Sequence, residues 1–167
     1  MQCIRQSAAN VFTTMLGAEL GEGEISLEAA APEPNDGVVS FIGLAGSWAG
    51  TGSVTCSPAL ACRICSLMLM TDSTYVNEEV LDAVAELTNM IIGSVKTELE
   101  QHLGPLGLSI PTVVYGRNFR TKSAGSSEWI VARWMWEGEP LHVKLCLAPN
   151  GRPHLNMAGV QTCALDV

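Results

Sequence analysis

The chain is predicted to be an α+β protein built from two similar halves, on three observations. A 3.6-residue apolar periodicity runs unbroken from about Glu78 to His102, which marks one long amphipathic helix. Near the other end of the chain Leu141, Val143, Leu145 and Leu147 alternate with His142, Lys144 and Cys146, the period of a strand with one buried face. The third observation is an internal echo: Asn10-Val-Phe-Thr13-Thr-Met-Leu-Gly17 matches, weakly, Glu86-Leu-Thr-Asn89-Met-Ile-Ile-Gly93. At 167 residues, 47% hydrophobic and 16% charged, the chain can bury one core and does not require two. A single domain over 1–167 is expected, with a first half of about 1–76 and a second of about 77–167.

In chain order, the first helix is predicted from about Arg5 to Leu16 and ends at Gly17, a residue suited to a helix stop. Glu33 to Gly37 reads as a Pro- and Gly-containing connector. Val38 to Gly46 and Ser47 to Thr55 form two strands of a hairpin. Pro58, which fits the first turn of a helix, opens a segment that runs to about Met70. The turn Thr71 to Asn77 leads into the long helix, which stops at Gly104-Pro105. Three strands follow, Ser109 to Gly116, Glu128 to Trp136 and Leu141 to Leu147. Arg117, Arg120 and Lys122, followed by Ser123-Ala-Gly-Ser-Ser127, read as a loop between strands. Ala148 to Val167 has no clear period.

Composition excludes several classes. A formal charge of -8 with only nine Lys and Arg is a poor match to phosphate backbones, so no nucleic-acid partner is expected. No apolar run approaches the ~18 residues of a membrane span, and Met1-Gln-Cys-Ile-Arg-Gln6 does not open a signal peptide; neither membrane insertion nor export is expected, and the location is read as cytoplasmic. Cys56, Cys62 and Cys65 include a CxxC spacing, but no second pair of ligands accompanies it, so buried thiols are the better reading and no metal site is assigned. His102, His142 and His154 form no ligand pair. Gly43, Gly46, Gly50 and Gly52 fit no phosphate-loop spacing and read as strand and turn glycines. Trp129, Trp134 and Trp136 gather near one hairpin, as core or as a dimer contact.

The long helix carries the most informative pattern. At about 100° per residue, Asp82, Glu86, Asn89, Gly93 and Lys96 fall within roughly an 80° arc, opposite Leu81, Val84, Leu87, Ile91 and Val95. Such a stripe is ordinarily a solvated face. Gly93 argues for more, because a mid-helix glycine costs about 1 kcal/mol relative to alanine and lets another backbone come close. Met90 and Ile92 are expected as apolar shoulders on either side of the acid and amide.

Glu86-Leu-Thr-Asn89-Met-Ile-Ile-Gly93-Ser-Val-Lys96, followed by Ser109-Ile-Pro111-Thr-Val-Val-Tyr-Gly116, resembles the CheX branch of the CheC/CheX/FliY chemotaxis phosphatases, whose mark is an ExxN helix and a downstream proline. The resemblance spans most of the chain. It implies an antiparallel sheet with long helices packed on one face, and a homodimer joined by sheet edges. It also implies hydrolysis of the phospho-aspartate of a CheY-like response regulator. In that reading Asn89 orients the attacking water and Glu86 pairs with a lysine of the regulator. Asp82, Met90, Ile92, Gly93 and Lys96 make further contacts, and Mg²⁺ comes with the phosphorylated regulator, the chain having no cofactor of its own. Asn10 and Thr13 in the first helix lack the acid, so one site is expected rather than two. Two other classes stay open: a non-catalytic domain that docks a signalling protein through the same stripe, and a cysteine-based metal or redox module.

Overall fold

A computed structural model describes residues 2–29, 34–120 and 128–150. Helix α1, Gln2–Val11, buries Ile4, Ala8 and Val11 along one side. It continues into a wider π-helical turn, Phe12–Leu16, which ends at Gly17 in the left-handed region, φ 60°. The expected first helix is thus present, begins three residues earlier, and loses α geometry in its last turn. Strand β1, Glu24–Ala29, was not expected; its partly exposed pattern, with Leu27 in solvent, gives only a weak period-two signal. Strand β2, Pro34–Gly46, absorbs the predicted connector. Gly37 holds φ +115° where the register shifts, and a Cβ there would stand 2.5 Å from the Cys56 carbonyl oxygen, which only glycine avoids.

Strand β3, Trp48–Cys56, pairs antiparallel with β2 as predicted. Helix α2, Pro58–Leu69, starts where the Ser57 hydroxyl accepts the Leu60 N–H at 3.1 Å, with Pro58 in the first turn. Helix α3, Glu78–Leu103, starts where the Asn77 side chain accepts the Val80 N–H at 3.0 Å and places Glu78 and Glu79 at its positive end. Strands β4, Leu106–Leu108, β5, Thr112–Arg120, β6, Glu128–Trp136, and β7, Glu139–Pro149, complete the chain. Arg117 and Arg120 therefore belong to β5 rather than to a loop, because Pro34 to Phe41 of β2 offers them a strand to pair with. Lys122, 123–127, His154 and the segment 151–167 lie outside the described residues.

The seven strands form one antiparallel sheet in the order β1-β6-β7-β3-β2, with β4 and β5 both laid along the free edge of β2. Helix α3 packs on β2 and β3, with α1 and α2 against its sides. The main core gathers Phe12, Ile42, Leu60, Leu87, Ile91 and Leu141 between helices and sheet. Trp134 and Trp136 enter it, and Phe12 meets Trp136 edge-on at 5.0 Å. Strand parity sends Trp129 to the other face, into a separate cluster with Val131 and Cys146. The close seat of α3 depends on Gly52, where a Cβ would come within 2.8 Å of the Ile92 side chain. This contact seats Ile92 against β3.

Candidate functional site on helix α3

With Val80, Ala83, Val84, Leu87, Thr88, Ile91, Ile92 and Val95 all buried, α3 commits about half of its circumference to packing as far as Val95. The remaining side carries the stripe. Asp82 and Glu86 are exposed, and Asn89, Gly93 and Lys96 are half-buried. Residues three apart on a helix have Cβ atoms about 5–6 Å apart, which brings the Glu86 carboxylate and the Asn89 amide within reach of one another. The amide carries two donors and an acceptor, the carboxylate acceptors only, and the pair can therefore hold a cation and a water side by side. Met90 is half-buried against the core. Ile92 corrects the sequence reading: it is wholly buried against Gly52 rather than a shoulder of the stripe. Sequence periodicity places it on the flank, but the flank is closed by the sheet.

At the far end of the stripe the Lys96 ammonium donates to Glu100 at 2.9 Å, and the other Glu100 oxygen accepts the Leu106 N–H at 2.8 Å. The Leu106 N–H first, and Lys96 second, hold the Glu100 carboxyl below the usual carboxylate range. This clamp ties the end of α3 to β4 and is at full strength above the ordinary carboxylate pKa. It weakens as acid protonates Glu100.

The motif proline also finds its place. Beyond β4 the chain kinks at Ser109-Ile110-Pro111, pinned because Ser109 exchanges main-chain and hydroxyl bonds with Gly43 at 2.9 and 2.8 Å. Leu108, next to the kink, stands closest to Gly93: a Cβ on Gly93 would meet its side chain at 3.7 Å, an ordinary contact. Nothing inside the described residues therefore requires glycine at this position. Gly93→Ala is expected to raise stability by up to about 1 kcal/mol through helix propensity alone. Thermal unfolding of the two proteins checks this.

Glu79 was overlooked in the sequence. It lies seven residues before Glu86, about 20° away on the helix wheel, and is exposed, so the acidic stripe begins a turn before Asp82. Its position at seven-residue spacing is the signal that would have found it.

The described cysteines are set into the packing of the protein. Cys56, Cys62, Cys65 and Cys146 are buried free thiols and Cys3 is half-buried. Burial pushes the Cys56 thiol up to about 12, and burial with the neighbouring Glu98 does the same to Cys3. Thiols held protonated are poor nucleophiles and poor metal ligands. Among the described residues no three His, Cys, Asp or Glu side chains are grouped to hold a metal ion, and no helix is long and apolar enough to cross a membrane.

A single antiparallel sheet backed by helices, with an acid and an amide on the outward side of the longest, defines a CheC-like protein. The family model described as chemotaxis phosphatase CheX matches residues 38–133, more than half of the chain. The CheY-P phosphatase CheX of Thermotoga maritima is 33% identical over 121 residues, 71% of this chain and 77% of that protein. Among solved structures, the chemotaxis protein CheX of Vibrio vulnificus aligns with TM-score 0.73 at 26% identity, over 89% of this chain and 95% of that one. CheX of Desulfovibrio desulfuricans gives 0.78 at 24%, over 88% and 97%. The chain belongs to the CheX family.

Proposed function

We propose that this protein hydrolyses the phospho-aspartate of a CheY-like response regulator, with α3 inserted into the regulator's phosphorylated pocket. The observation that carries this reading is the placing of Glu86 and Asn89 together on the side of α3 that faces away from its buried residues. Homology to a CheY-P phosphatase supports it. An acyl phosphate is already activated, so the catalyst has to place one water in line and stabilise the geometry. The Asn89 amide accepts a hydrogen from that water and donates to the phosphoryl region, which fixes the approach. Water oxygen then bonds to phosphorus as the bond from phosphorus to the aspartyl oxygen breaks, releasing inorganic phosphate and the free carboxylate. Glu86 pairs with a lysine of the regulator and sets the register, an interaction that strengthens as water leaves the interface. Asp82 extends this contact, Met90 and Gly93 form the walls beside Asn89, and Lys96 closes the stripe.

No step requires a nucleophile from this chain. The Mg²⁺ that neutralises phosphoryl charge would be held by the regulator, whose acidic pocket suits it better than the outward side of α3. The test is the decay of a phosphorylated CheY-like receiver in Mg²⁺ with and without the protein. Acceleration proportional to enzyme concentration supports hydrolysis. Tight binding with unchanged decay would replace it by docking without catalysis.

A further inference from the structure

We propose that the turn between α2 and α3 is a second docking surface for the same phosphorylated receiver domain, an apolar knob of Met70 and Tyr75 set in an acidic rim. The proposal rests on the functional reading above for the identity of the partner, and on separate observations for the surface.

Met70 is 94% exposed and Tyr75 69% exposed, and Leu69 beside them is also in solvent. Met70 is unfavourable to folding in two respects. It closes α2 in the left-handed region at φ 54°, where glycine or asparagine would be easier. It also leaves its whole side chain in water, and single exposed methionines are common but not usually combined with backbone strain. The turn is nevertheless built rigidly. The Met70 and Thr71 N–H groups both donate to the Ser66 carbonyl, the Ser73 N–H donates to the Ser66 hydroxyl at 3.0 Å, and the Ser73 hydroxyl donates to the Cys65 sulfur at 3.3 Å. Asn77 then caps α3. A pre-formed surface loses little freedom on binding.

Charge and continuity indicate what covers it. Between Arg63 and Lys96 the chain has no Lys, Arg or His and five acids, Asp72, Glu78, Glu79, Asp82 and Glu86. Glu79, Asp82 and Glu86 rise along one side of α3 within about 60° of arc, so the acids continue from the first turn of α3, where the α2–α3 turn joins it, to the catalytic pair. Asp82 stands about 7.5 Å and Glu86 about 13.5 Å along the axis from the Asn77 cap, at 1.5 Å per residue. A receiver that offers its phospho-aspartate to Asn89 is large enough to overhang the turn. The complementary surface is one of apolar side chains ringed by Lys or Arg beside the receiver's phosphorylation pocket.

The experiment measures binding of a beryllofluoride-activated receiver by calorimetry, and steady-state dephosphorylation, for the wild type, Met70→Asn, Tyr75→Ser and the double variant. Met70→Asn is expected to unfold at the same or a higher temperature, since asparagine suits the left-handed position, yet to bind about fivefold more weakly. The double variant is expected to lose about thirtyfold in affinity and to raise KM in step, with kcat within about twofold. A double variant that binds like the wild type overturns the surface even if the phosphatase reading stands. A wild type that binds the receiver without accelerating its decay overturns the phosphatase reading and leaves the surface to be judged on the affinities. A wild type that does not bind overturns both.

Discussion

Replacing Asn89 by alanine is expected to reduce acceleration of receiver dephosphorylation by about a hundredfold or more while the protein remains folded. The magnitude is that of removing a group whose sole task is to orient a reactant or stabilise the transition state. Stability should change little, because Asn89 is half-buried on the free side of α3 and alanine is a better helix former. The loss should fall on kcat, with affinity for the activated receiver close to that of the wild type. Single-turnover decay rates at saturating protein, together with thermal unfolding, separate the two quantities. An Asn89→Ala protein with full turnover would remove the amide from the mechanism, and with it the reason for placing water there.

Glu86→Ala is expected to act on the other quantity. If Glu86 forms an ion pair that is dry in the complex, truncation leaves the partner's lysine unmatched, which weakens binding by about ten- to a hundredfold. KM should rise and kcat should fall less. Salt gives an independent check. Wild-type association with a basic surface should slow as ionic strength rises, because the rim of acids steers the encounter, and Glu86→Ala should lose only part of that dependence, since Asp82 and Glu79 remain exposed beside it. Equal KM values for Glu86→Ala and the wild type would mean that the carboxylate meets no cation.

Much of the scaffold was legible because local chemistry and global packing agree. Pro58 in the first turn of α2, the turn that ends at Asn77, the glycines at positions 17 and 104, and the alternation of β7 each have a near-neighbour cause, and the structure places an element boundary or strand at each. Strand β1 was missed because an edge strand with Leu27 in solvent needs little of the pattern that a buried strand must show. Arg117 and Arg120 were misread as loop for the opposite reason: their pairing partner, 34–41 of β2, lies some 80 residues away and leaves no trace in the local pattern.

What the sequence determined by itself is the stripe. Helical geometry brings Glu86, Asn89 and Asp82 to one side wherever the helix is placed, since 3.6 residues per turn is a property of the backbone. Tertiary structure alone decided how wide that side is. The sheet reaches α3 through the notch at Gly52, swallows Ile92, and leaves the acid and amide bordered by Met90 and the bare backbone of Gly93. It also carried Leu108 to Gly93, and it fixed the α2–α3 turn with Met70 and Tyr75 in solvent. Those placements rest on contacts between residues distant in the chain, and periodicity along one segment has no means of encoding them.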